Sequence, residues 1–317
     1  MKLPFSARLL TLAVVSTLSL AAPFSVQAED KPKVALVMKS LANEFFRTME
    51  DGAKDYQNPH PKDSDLVANG TKAESDTGNQ IRIVEQMIAT GADALVIAPA
   101  DSKALVPVIK RAMDAGITVV NIDNRLDPEV LKSKNLSVPF VGPDNRKGAR
   151  LVGDYLAKEK LKAGDQVGII EGVPTTTNAQ QRTAGFKDAM DAAQMKVVSV
   201  QSGNWEIDKG NAVAAAMLNE YPELKALLAG NDSMALGAVS AVRAAGKTGQ
   251  VQVVGYDNIN AIKPMLKDGR VLATLDQDAK KQAVYGIQAA LQMIKGEKPE
   301  VDADNVIQTP VELITKP

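Results

Sequence analysis

Cysteine is absent from the sequence, so it can form no disulfide framework, no thiolate metal site, no thiol nucleophile and no lipidated N-terminal cysteine. Histidine occurs once, as His60, and a single imidazole cannot furnish both a catalytic triad and a metal centre. It sits in the polar run Asn58-Pro59-His60-Pro61-Lys62 and reads as part of an exposed turn. Neither sign of charge is in excess: 37 Lys and Arg against 38 Asp and Glu leave a formal net charge of −1, which does not favour a phosphate backbone as partner. The sequence holds no G-x-S-x-G elbow, no Walker loop and no H-E-x-x-H, so nucleotide and metal chemistry lack a foothold. Low-complexity stretches and Gly/Ser linkers are missing too, and any two domains are therefore joined by short, ordered segments.

The one long apolar run is at the N-terminus. Lys2 and Arg8 precede an uncharged stretch over residues 9–22, shorter than the roughly 20 apolar residues of a membrane span, and it ends in Val26-Gln27-Ala28. This pattern predicts a signal peptide over 1–28, cleaved near Ala28, and an exported, soluble, periplasmic product. The remainder is long enough for two domains with full cores.

From Lys33 onward, short β-rich runs alternate with amphipathic stretches, as in parallel sheets covered by helices. Strands are expected near 34–38, 66–68, 94–97, 118–122 and 139–141. A helix is expected over about 43–56. A second has Ile81, Val84, Met87 and Ile88 on its buried face, and a third is capped by Asp101 or Ser102 with Pro107 in its first turns. After Gly142 the rhythm restarts, with a helix over about 145–160 and strands near 166–170, 196–200, 227–229, 251–255 and 271–275. The fold class is α/β: two similar doubly wound parallel-sheet domains.

Ligands of such sheets lie beyond the carboxyl ends of the strands. Those positions are polar here: Lys39, then Asp123 and Asn124, then Asn231 and Asp232, then Asp257, then Gln277. Carboxylates accept from pairs of hydroxyls, amides and cations donate, and aromatic rings cover C–H faces, so the set suits a sugar. Phe45, Phe46 and Trp205, the sole tryptophan, are the candidate rings, with core packing as the alternative role for each. Asp123 and Asp257 also allow a glycosidase reading, the weaker one, since Asp is the ordinary hydroxyl acceptor of a binding site.

The stretches VALVMKSLANEFF, VVNIDN, QQRTAGF, LLAGNDSMALGAVSAVRAAGK and VVGYDN, in this order and spacing, resemble the periplasmic ribose-binding proteins of bacterial ABC transporters. The resemblance implies a type I periplasmic binding protein fold with the ligand cleft between two lobes, and no enzymatic activity. It implies three crossings between lobes, with hinges near Gly142, Gln277 and Pro310. The first lobe then comprises 29–142 plus 278–310, and the second 143–277 plus 311–317. It places Lys39, Asn43, Phe45, Phe46, Asp123, Asn124, Arg182, Trp205, Asn231, Asp257 and Gln277 in the sugar site, with no catalytic residue, metal or cofactor. Lys39 stands where a small hydroxyl residue is common in the ribose pattern and resembles the allose-binding branch, and Asn124 stands where an arginine is common. D-ribose, favoured, and D-allose or another pentose or hexose therefore remain open. The implied partners are a monosaccharide, the membrane subunits of an ABC transporter and a chemoreceptor, with the chain a monomer. A sugar-responsive repressor, similar over the same core, would need an N-terminal helix-turn-helix where this chain has an apolar leader.

Overall fold

The computed structural model describes residue 1 and residues 31–316; apart from Met1, the expected signal peptide and its cut near Ala28 lie outside the described residues. The first strand, Lys33–Ser40 (β1), shows why this chain builds a covered parallel sheet. Val34, Leu36 and Met38 join one apolar cluster while Ala35 and Val37 join another, so β1 is buried on both faces and needs helices on each side. The helices Glu44–Gln57 (α1) and Thr77–Ala89 (α2) flank Asp65–Thr71 (β2) in sequence, followed by Ala94–Ile97 (β3), Val106–Asp114 (α3), Thr118–Ile122 (β4), Pro128–Ser133 (α4) and Phe140–Gly142 (β5). Helices α2 and α3 cover the Ala35 face and α1 the Val34 face.

The pattern repeats with Asn145–Lys160 (α5), Gln166–Glu171 (β6), Thr177–Ala192 (α6), Lys196–Ser202 (β7), Ile207–Glu220 (α7), Leu224–Ala229 (β8), Asp232–Ala244 (α8), Gln252–Val254 (β9), Lys263–Asp268 (α9) and Ala273–Asp276 (β10). In β8, Ala226 and Leu228 pack with α5 and α6, and Leu227 and Ala229 with α7 and α8. The chain then returns: Ala279–Ile294 (α10) buries Ala283, Ile287 and Ala290 in the cluster that holds Val34 and Leu36. Val306–Gln308 (β11) joins the first sheet and Glu312–Thr315 (β12) the second. The sheet orders are β11-β5-β4-β3-β1-β2 and β12-β10-β9-β8-β6-β7. All pairs are parallel except β10 with β12. The chain thus passes between sheets after β5, after β10 and after β11.

The structure departs from the expected pattern at three places. The buried face of α2 is Gln80, Ile83, Val84 and Met87, while Ile81 and Ile88 are half-buried. The rotation follows from Gln80, whose Nε2 donates to the carbonyls of Met38 (3.1 Å) and Ala98 (2.8 Å) while its Oε1 accepts from Ala100 N (2.7 Å), tying together the ends of β1 and β3. Asp101 caps a turn, accepting from the amides of Lys103 and Ala104, and α3 begins only at Val106. Pro107 has no N–H to donate, which confines it to the first turn and sets that start. The short helix α4, capped by Asp127 with Pro128 behind it, had no counterpart in the sequence reading. His60 does lie in an exposed turn, its ring stacked 4.7 Å from that of Tyr56.

Candidate ligand-binding site

The carboxyl ends of both sheets meet across one space lined by Lys39, Asn43, Phe45, Phe46, Glu74, Asp123, Asn178, Arg182, Trp205, Asn231, Asp257 and Gln277. On the first-sheet side, Lys39 closes β1 and Asn43 caps α1, its Oδ1 accepting from Phe45 N at 3.0 Å. That cap fixes the first turn and sets the Phe45 and Phe46 rings edge to face, 5.2 Å apart. Asp123 follows β4 in the left-handed region, at φ 60°. Lys39 Nζ lies 3.1 Å from Asp123 Oδ2, 3.8 Å from Glu74 Oε2 and 5.2 Å from the Phe46 ring centre.

On the other side, Asn178 and Arg182 are four residues apart on α6 and so share a face. The Arg182 guanidinium lies 3.7 Å from the Tyr256 ring centre and is oriented by donation from Nε to Asn145 Oδ1 (2.8 Å) and from Nη1 to Gly230 O (3.0 Å). Nη1 is also 3.5 Å from Asp257 Oδ1, which accepts from Gln277 Nε2 at 2.7 Å. Trp205 has φ 68° and lies so close to Gly172 that a Cβ there would stand 2.0 Å from the indole; only glycine admits the ring. Asn231 commits its amide locally, accepting from Met234 N (2.9 Å) as the cap of α8 and donating to Trp205 O (3.2 Å).

Three non-glycine residues of this wall, Asp123, Trp205 and Asp257, hold positive φ, up to 121° at Asp257. Such strain costs about 1–3 kcal/mol per residue and clusters where side chains must be aimed at a ligand. Burial of the carboxyls pushes Glu74 up to about 7, against Lys39 and Asn43, and lifts Asp257 well above the usual carboxylate range, against Arg182. Two cations and three carboxylates, two of them inclined to hold a proton, leave little net charge, which suits a neutral ligand. Glu74 Oε2, Asn178 Oδ1, Arg182 Nη2 and Trp205 Nε1 are buried without a hydrogen-bond partner among the described residues, and Asp123 Oδ2 has the Lys39 ammonium beside it. Donors and acceptors thus alternate with the rings of Phe45, Phe46 and Trp205 around one space. That is the complement of a ring bearing several hydroxyls and a C–H face.

Of the residues expected here, Asn124 is placed elsewhere. Its Nδ2 donates to Pro99 O (2.8 Å) and its Oδ1 accepts from Asn178 N (3.2 Å), so it joins the two lobes beside the cavity instead of lining it. With Asp123 already in the left-handed region, the adjacent side chain faces another way. Glu74 and Asn178 line the space although the sequence reading did not single them out. Asn178 had a usable signal, standing one turn before Arg182; Glu74, in the loop ahead of α2, had none.

A family model described as periplasmic binding protein domain matches residues 34–298. The chain is similar to the D-ribose/D-allose-binding protein of Pseudomonas aeruginosa, 73% identical with 100% of each chain covered. It is similar to a crystal structure of an ABC transporter solute binding protein from Burkholderia multivorans with an unknown ligand represented as alpha-D-erythrofuranose, at 75% identity and TM-score 0.86, covering 90% of this chain and 99% of that one. A periplasmic solute binding protein of an ABC transporter from Actinobacillus succinogenes with bound D-allose is 36% identical at TM-score 0.83, with 90% and 98% covered.

Proposed function

Since the chain belongs to the periplasmic binding protein family, we propose that it captures a monosaccharide, D-ribose first and D-allose second, and delivers it to an ABC transporter. The observation that carries this reading is the set of buried polar atoms with hydrogen-bonding capacity left over, supplied by both lobes together with three rings, around one space. Glu74 and Asp123 offer acceptors from the first lobe, and Arg182 and Trp205 offer donors from the second. A sugar that pairs both sets at once favours the arrangement in which the lobes are together, because neither lobe alone completes its hydrogen bonds. The segments near Gly142, Gln277 and Pro310, where the chain passes between lobes, act as the hinges of this closure. They divide the chain into 29–142 plus 278–310 and 143–277 plus 311–317.

In the periplasm, after removal of 1–28, the closed monomer then presents a surface made of both lobes to the transporter's membrane subunits, and to a chemoreceptor. The names of the relatives support the two sugars. The protein acts as a carrier and not as an enzyme, so sugar released by denaturation is recovered chemically unchanged. Isothermal titration with a panel of neutral aldopentoses and aldohexoses tests the assignment. Ribose or allose binds with a dissociation constant of about 1 μM or tighter; absence of heat with every sugar of the panel refutes it.

A further inference from the structure

Glu74 is 2% exposed, and its two oxygens are used unequally. Oε1 accepts from Asn43 Nδ2 at 2.8 Å, whereas Oε2 has no hydrogen-bond partner among the described residues. The nearest cation, Lys39, is 3.8 Å from Oε2 and sits closer to Asp123, at 3.1 Å, so one ammonium serves two carboxylates. The loop that carries Glu74 is fixed without it. Ser40 Oγ donates to Lys72 O (2.9 Å), Thr71 Oγ1 donates to Ala73 O (2.7 Å), and Asp76 caps α2. A buried carboxylate oxygen that no fold contact requires and no donor satisfies is costly, and a ligand donor removes that cost. Asn43, Glu74 and Trp205 line both the central space and an adjoining groove bordered by Lys72, Glu206, Ile207 and Ser233.

We propose that Glu74 is a further ligand-contacting and selectivity-determining residue of this chain: Oε2 accepts the hydrogen of one sugar hydroxyl at the end of the cavity next to that groove, and sugars lacking this hydroxyl are discriminated against. The inference rests on the sugar-binding reading and deepens it.

The charged and polar groups around Glu74 are Lys39 on β1, Asn43 ahead of α1, Asp123 after β4 and Glu206 ahead of α7. Burial raises the carboxyl to about 7, Lys39 and Asn43 oppose the rise, and Asp123 and Glu206 add to it. A donated hydroxyl favours the ionised form, so binding releases a proton and affinity increases with pH through neutrality. Asp257 contributes its own pH dependence, and that part survives replacement of Glu74.

The test is calorimetric titration of D-ribose, D-allose and their singly deoxygenated analogues into the wild type and Glu74→Gln at pH 6, 7 and 8. Glu74→Gln binds the parent sugar about tenfold more weakly at pH 8, and the difference narrows at pH 6. One deoxy analogue binds the wild type as weakly and loses no further affinity in the variant. Affinities within twofold of the wild type at every pH, or additive losses for every analogue, overturn the proposal. If Glu74→Gln does not fold, the wild type decides: the deoxy analogue that has lost its partner shows a flatter pH profile than the parent, and equal profiles for all analogues overturn it. A wild type that binds no sugar sinks the sugar reading and this inference with it. Normal wild-type binding with an indifferent variant sinks the inference alone.

Discussion

Asp232, the first residue of α8, is fully buried behind the cavity wall, where Oδ1 accepts from Thr274 Oγ1 (2.7 Å) and Oδ2 from Ile259 N (3.1 Å). Burial outweighs these hydrogen bonds and raises its pKa from the ordinary 3.8 to about 7. Between those two values the folded protein holds a proton that the unfolded chain has released, so the stability contributed by this group is full below the lower value and is lost as pH rises through the upper one. In thermal melts without sugar, the wild type therefore loses stability relative to Asp232→Asn between pH 5 and pH 8; parallel profiles would contradict this. Asp257 presents a different case, because its carboxylate receives Gln277 Nε2 and faces Arg182 at the cavity. Asp257→Ala leaves those donors without their acceptor, and sugar affinity is expected to fall by about 1–3 kcal/mol. Calorimetry showing unchanged affinity would place the site elsewhere.

Helices α7 and α8 cross where Gly210 and Gly237 bring their backbones together. A Cβ at Gly237 would stand 2.2 Å from Ile207 O and 2.5 Å from Asn211 N. Backbone cannot yield as a flexible side chain does, so Gly237→Ala must push the helices apart. The expected cost is about 1–3 kcal/mol, read as a lower Tm. Trp205 and Asn231 stand just ahead of these two helices, so sugar affinity falls as well. A variant that keeps both its Tm and its affinity would show that the crossing is not rigid. The same scale shows where pattern reading fails. The strand runs are found close to their expected positions because β-branched and apolar runs are local signals. The buried face of α2 departs from its apolar pattern because Gln80, a polar side chain, is buried to join two strands remote in sequence.

Across the whole molecule, hydrogen bonds outside the cavity also join the lobes. Ser102 Oγ accepts from Thr177 N (2.9 Å), Ser102 N donates to Thr175 O (3.3 Å), and Asn178 N donates to Asn124 Oδ1 (3.2 Å). Farther along the cleft the Glu44 carboxylate accepts from Asn260 N (2.7 Å) and Ala261 N (3.2 Å). On the closure proposed above, each such bond favours the lobes being together whichever sugar is bound, and so adds to affinity without adding to selectivity. Ser102→Ala, which touches nothing in the cavity, removes about 0.5–1.5 kcal/mol of that support. It is expected to raise the dissociation constants for ribose and allose by the same factor, about two- to tenfold, with faster release in stopped-flow measurements. A change in the ratio between the two sugars would show instead that the substitution reaches the site.

The sequence by itself determined the alternating strands and helices, their division into two similar halves, and the placement of Lys39, Asp123, Asn231, Asp257 and Gln277 at strand ends. These are local consequences of side-chain period and of where a run of strand residues stops. Tertiary structure decided which polar groups line the cavity. Asp123 and Asn124 are neighbours, yet one lines the cavity and the other joins the lobes. Glu74, in a loop that reads like any solvated turn, is buried beside Lys39. Whether an oxygen remains unpaired depends on donors brought to it from distant parts of the chain, and no pattern along the chain carries that information.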